Sequence, residues 1–176
     1  MKFLYAMVWL FPVIFMIHDF EEIIMIEAWK KKNEKYIKEK NIPYSFEVST
    51  ASFSAAVLGI FILFSVLSGF SYIYESYFLW TAMYIGFILH MIFHVISSMV
   101  MRRYTPGAAT SIPFTLLCLH MLLKSGILLK YNAIGLCITV IILVIIAVVF
   151  LGCLHNLMGN IDKLIEMYIK KCTKIN

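Results

Sequence analysis

Five apolar runs, at 3–26, 51–70, 77–101, 108–129 and 133–154, occupy most of this 176-residue chain. A helix needs about 20 predominantly apolar residues to cross the hydrocarbon of a bilayer, and each run meets that length. Lipid offers the backbone no hydrogen-bond partners, so only helices and closed barrels span it. Runs this long and this evenly apolar read as helices. The expected fold is therefore all-α, a polytopic transmembrane bundle of five spans forming one domain over 1–176. Short connections at 71–76, 102–107 and 130–132 make sequential helices antiparallel neighbours. Beyond the fifth span, 161–172 carries Ile161, Leu164, Ile165, Tyr168 and Ile169 on one face. That pattern predicts an amphipathic helix lying on the membrane surface.

Composition agrees. Charged residues are 14% and hydrophobic residues 62%, with a mean hydropathy of +0.89; a soluble domain carries about 25% charged residues to wet its surface. A soluble enzyme, a disordered chain, a collagen-like repeat and a disulfide-rich secreted domain are all excluded. The net charge of +5 does not point to nucleic acid. Six of the 15 basic residues fall between Lys30 and Lys40, directly after an apolar run, with no groove-reading or stacking module. That stretch reads as a solvated helical face held near anionic headgroups. The four cysteines are scattered without a C-x-x-C pair, so they read as packing residues rather than a disulfide framework or a thiolate metal site.

Lys and Arg also orient the bundle. The loop after the first span, Arg102 with Arg103, and the C-terminal tail together hold 12 of the 15 basic residues, leaving Lys2, Lys124 and Lys130 for the other side. The expectation is a bacterial plasma-membrane protein with its N-terminus outside and its C-terminus in the cytosol. The first span is expected to be uncleaved, because no small-x-small site follows Ile17 before the charged cluster.

Against this apolar background the first span contains His18-Asp19-Phe20-Glu21-Glu22. Ionisable groups at membrane depth cost about 2.5–3.5 kcal/mol each on insertion scales and persist when they face the bundle interior. At about 100° per residue, His18, Glu21 and Glu22 share an arc of about 100°, with Asp19 at its edge. The third span carries His90 and His94 at i, i+4, one turn apart on one face and able to grip a single ion. His18 and His90 each lie 12 residues before the basic end of their span, and Glu22 and His94 each lie 8 before it. The two spans run in the same direction, so equal offsets mean equal depth, roughly 12–18 Å from the basic residues. His120 in the fourth span and His155 at the end of the fifth are second-tier candidates, as are Asp19 and Tyr104.

These residues carry a resemblance. His18-x-x-Glu21-Glu22, then His90, then Tyr104-Thr105-Pro106-Gly107, is similar to the pattern of the HXXEE-domain membrane proteins: H-x-x-E-E near the N-terminus, a further histidine and Y-x-P-G. It covers nearly the whole chain, and it implies His18, Glu21, Glu22, His90 with His94, Tyr104, Pro106 and Gly107 as family positions without naming a reaction. Read physically, Tyr104–Gly107 is a turn in which Pro106 stops the third helix and Gly107 supplies a positive φ. Tyr104 suits an interfacial anchor, with a hydrogen bond to a site carboxylate as the alternative.

Ligand counting favours one divalent ion, zinc first and iron next. Carboxylates at depth are too few for a di-iron centre, and five histidines are too few for the larger clusters of membrane hydroxylases. In the H-x-x-E-H hydrolases the residues at i and i+4 bind zinc and the Glu at i+3 acts as base. By that geometry His18, Glu22 and His90 or His94 are the expected ligands, with Glu21 the catalytic base taking a proton from metal-bound water. An intramembrane site implies membrane lipids as surroundings and a lipid or lipid-soluble molecule as substrate, and so a hydrolase. A metal-ion or proton-coupled transporter, a metal-dependent membrane oxidoreductase and a small accessory protein whose polar cluster only fixes packing stay open. No internal repeat, phosphate-binding glycine loop or G-x-S-x-G elbow is present.

Overall fold

The computed structural model describes residues 2–40 and 49–173, with the side chains of 151–162 and 172–173 outside that description. The described residues are all helical or turn: α1 Lys2–Lys40, α2 Thr50–Ile73, α3 Phe78–Met101, α4 Ala108–Ser125, a 3-10 turn at Ile127–Lys130, and α5 Ala133–Thr173. Five of these helices are long and apolar enough to cross a membrane. The chain is an integral membrane helix bundle.

Local chemistry sets the ends. Ser49 caps α2 by accepting a hydrogen bond from the Ser52 amide on its Oγ at 3.1 Å. Helix α3 ends at Met101 because Arg102 turns left-handed, at φ 50, and the Arg103 amide bonds back to Ser98 O at 3.1 Å. The stop therefore comes four residues before Pro106, which sequence reading had credited with it. The fourth span, expected to reach 129, closes at Ser125 because Gly126 takes φ 65. Pro12 lies inside α1, a placement that transmembrane helices tolerate.

Two helices run far past their spans. At about 1.5 Å per residue α1 is roughly 58 Å long and α5 roughly 62 Å, twice the ~30 Å hydrocarbon. Of the lysines of 30–40, Lys30 is half-buried and the others are solvated as expected, but the opposite side of that stretch is not. Ile26, Trp29, Asn33 and Ile37, spaced three to four apart, form a buried stripe that continues the inner face of the span. At the other end, 161–172 is helical but does not start a separate element, since α5 enters it without a break. Gly152, Asn156 and Gly159 stand between the two parts, and a glycine costs a helix only about 1 kcal/mol. Of the face read there, Ile161 lies outside the described side chains, and Leu164, Tyr168 and Ile169 are exposed.

Helix α1 packs against α2 and α4, and α3 packs against α4 and α5. Between α1 and α3 the interior is aromatic. The Phe11 ring lies 4.9 Å from Phe64, 5.9 Å from Trp80, 5.3 Å from Tyr84 and 5.6 Å from Phe87. Phe15 joins them at 4.8 Å from Phe64 and 5.8 Å from Phe87. Their polar tips are tied off, with Trp80 Nε1 donating to Ser68 Oγ at 3.1 Å and Tyr84 Oη to Cys118 O at 3.4 Å. This dry block fills the half of the bundle away from Lys30–Lys40 and Arg102–Arg103.

Candidate metal centre

Immediately above that block, one turn of α1 faces one turn of α3. His18 and His94 are buried, at 0% and 5% exposure, and the His18 ring meets those of His90 and His94 edge-on at 5.4 and 5.2 Å. Glu22 is the hub. Its Oε1 lies 2.7 Å from His94 Nε2, 3.4 Å from His18 Nε2 and 3.7 Å from His90 Nε2. His90 and His94 Nε2 are themselves 3.1 Å apart. One donor atom from each of His18, Glu22, His90 and His94 lies within 4.8 Å of all the others. The equal depths read from the sequence correspond to one cluster.

The outer nitrogens decide which atoms face inward. His94 Nδ1 lies 2.9 Å from Pro106 O. A carbonyl only accepts, so Nδ1 carries a proton, and in the neutral ring Nε2 keeps its lone pair. His18 Nδ1 lies 3.0 Å from Thr110 Oγ1. That hydroxyl spends its single proton on Glu21 Oε2 at 2.6 Å, so it accepts from His18 Nδ1–H, and again Nε2 is bare. In their neutral forms two imidazoles thus turn lone pairs toward the Glu22 carboxylate, and His18 Nε2 is buried without a hydrogen-bond partner. Electron-rich atoms crowded together in a dry interior repel one another unless a proton or a metal cation sits among them. The donor set, three imidazoles and one carboxylate, fits zinc or iron.

Glu21 is placed differently. Its Oε1 accepts from Tyr104 Oη at 2.5 Å and the Ala109 amide at 3.1 Å. Its Oε2 accepts from the Thr110 amide at 2.7 Å and from Thr110 Oγ1. The carboxylate therefore caps the N-terminus of α4, where the first amides have no helical partner and the helix dipole favours negative charge. It stands outside the four-residue cluster and is linked to it by hydrogen bonds through Thr110 to His18. Tyr104 makes the carboxylate bond, the alternative to anchoring alone, while its carbonyl accepts from Trp29 Nε1.

The Tyr104–Gly107 turn is thus the wall of the site. Thr105 is fully buried, Pro106 supplies the carbonyl that orients His94, and Gly107 adopts φ +85, with its would-be Cβ 2.8 Å from both Glu22 Oε1 and His94 Nδ1. Asp19 is buried with Oδ1 lacking a partner and is not in the cluster. His120 is exposed on α4 and takes no part. The side chain of His155 lies outside the described residues.

Sequence reading missed Thr110. The signal was present in its position three residues after Gly107, in the first turn of a helix needing an N-terminal partner. Removing its hydroxyl should loosen the His18 ring without touching a ligand. Thr110→Val is expected to weaken metal binding roughly 10–100-fold, the usual effect of losing a supporting hydrogen bond, and Thr110→Ser to restore it. Competition against a chromophoric chelator measures both.

The comparisons place the chain in a family. A family model described as "Protein of unknown function with HXXEE motif" matches residues 9–123, which run from within α1 to the last turn of α4 and include every residue of the cluster. The chain belongs to the HXXEE family. No curated protein matches it, and no solved structure does. Within this HXXEE protein the motif divides by role: His18 and Glu22 enter the cluster, and Glu21 ties the third helix–fourth helix connection to it.

Proposed function

We propose that this HXXEE protein is a membrane-embedded metalloenzyme, holding one divalent ion between α1 and α3 and hydrolysing a lipid or lipid-soluble substrate. The observation that carries this reading is the convergence of imidazole Nε2 atoms on Glu22 Oε1, with the Nδ1 atoms of His18 and His94 each committed elsewhere. A zinc ion bound there would supply Lewis acidity and bring a bound water towards a pKa of about 7. His18, Glu22 and His94 hold it. His90 stands at the open side, its side chain 41% exposed and its Nε2 the farthest of the three imidazoles from Glu22. It is the group placed to accept the water's proton, the role the spacing alone assigned to Glu21. Glu21, with four hydrogen bonds to satisfy, acts as a positioning residue through Thr110.

The aromatic block of Phe11, Phe15, Phe64, Trp80, Tyr84 and Phe87 weighs against a carrier, which needs passage to both faces. Substrate enters instead from the end bearing the basic residues, taken as cytosolic by the charge asymmetry. One observation favours an iron oxidoreductase as the second reading. If all four residues bind, they close a tetrahedral ion but leave positions open on a six-coordinate one.

Elemental analysis of protein purified without chelators tests this directly. One zinc per chain is expected, lost in His18→Ala and kept in both Glu21→Gln and His120→Ala. Stoichiometric iron would select the oxidoreductase, and protein free of any transition metal would sink both.

A further inference from the structure

Away from the cluster, α1 and the connection after α3 border an open surface cavity of about 200 Å3 lined by Lys32, Asn33, Lys35, Tyr36, Glu39 and Arg103. An irregularity in α1 accompanies it, since Asn33 leaves helical geometry at φ -110, ψ 15. Buried Asn33 is fixed on both sides. Its Nδ2 donates to Trp29 O at 2.9 Å and its Oδ1 accepts from Arg103 Nη1 at 2.9 Å. The Arg103 guanidinium also lies 4.4 Å over the centre of the Tyr36 ring. A guanidinium carries five N–H donors in a rigid fork. Here one face and one N–H are used to hold it still.

The lining carries three cations and one carboxylate. The carboxylate is weakly engaged, with Glu39 Oε1 3.9 Å from Lys35 Nζ and both side chains largely in solvent. The cavity is therefore positive. Its level is also defined. Asn33 follows Glu22 by 11 residues, about 16 Å along the helix, past the apolar run and among Trp29, Tyr36 and Tyr104. Tryptophan and tyrosine gather where hydrocarbon meets headgroups, so the cavity stands at the height of phospholipid phosphates.

We propose that this cavity binds the phosphate group of an anionic membrane phospholipid, with Arg103 as the forked donor and Lys32 and Lys35 as flanking charges. Arginine matches phosphate oxygens two at a time, and basic residues near the surface draw anionic lipid. The site is independent of the metal reading and stands or falls separately from it.

The test titrates full-length, delipidated protein in neutral detergent with short-chain phosphatidylglycerol, following the thermal midpoint. A saturable rise is expected with this lipid, and none with phosphatidylcholine of the same chain length or with inorganic phosphate. The double variant Lys32→Gln/Lys35→Gln changes only exposed side chains and should still fold. Its half-saturation should rise roughly thirtyfold, each basic residue near an anionic surface being worth about fivefold. Arg103→Lys keeps the charge but loses the fork, and should respond more weakly than wild type. An equal response to phosphatidylcholine would overturn the proposal, as would an equal response to inorganic phosphate, which marks a site for soluble anions. So would a phosphatidylglycerol response unchanged in the double variant.

Discussion

On the proposed metal reading, a Gly107→Ala protein is expected to reach the membrane and to purify without the ion. Two effects combine at this position. The backbone is left-handed at φ +85, which costs an alanine roughly 1–2 kcal/mol. The added methyl would also stand 2.8 Å from Glu22 Oε1 and from His94 Nδ1, inside the contact distance of real Cβ atoms. Neither neighbour can yield cheaply, because one is the hub of the cluster and the other is held by Pro106. Gly126→Ala provides the control. Gly126 is also left-handed, at φ +65, but nothing lies within 4 Å of its would-be Cβ. It should lose stability by the backbone term alone and keep its metal. Metal content and thermal midpoint of the two variants, measured side by side, separate strain from intrusion.

The second large effect is expected at Glu22, with opposite signs for the metal-bound and metal-free forms. Glu22→Gln removes the one anionic donor from a set otherwise made of neutral imidazoles. Losing a mere supporting partner costs about 10–100-fold in metal affinity, so losing the negative charge of this ligand should exceed about a hundredfold. Without metal the same change should raise the thermal midpoint. A carboxylate at membrane depth costs about 2.5–3.5 kcal/mol, and an uncharged amide escapes much of that while offering an N–H to His94 Nε2. Melting curves with and without added zinc should therefore cross, wild type being the more stable with the ion and Glu22→Gln the more stable without it. A variant less stable under both conditions would show that Glu22 holds the bundle together regardless of metal.

The cluster was legible in the sequence because ionisable residues are conspicuous in lipid-facing composition, and their offsets from the basic helix ends encode depth. His18 with His90, and Glu22 with His94, share those offsets, and the structure brings their donor atoms together. The shell around them was not legible. Pro106 acts through its carbonyl, which every residue type carries, and Ala109 through its amide N–H, which every type but proline carries. Thr110 looks like any threonine at the start of a helix. Glu21 was read by analogy of spacing, and spacing cannot reveal that α4 begins within reach of its carboxylate. Both stretches beyond the spans were read as helical, but that they continue α1 and α5 escaped for a different reason. Hydropathy marks where a helix leaves lipid, and hydrogen bonding decides where it ends.

Helix α4 donates no atom to the cluster, yet it and the turn before it hold two of the three imidazole rings by their far edges. The direction from which each nitrogen approaches is therefore governed by residues outside the coordinating set. On the metal reading proposed above, small changes between 104 and 110 would be a route to a different preferred ion or a different vacant face, with H-x-x-E-E and both α3 histidines left untouched.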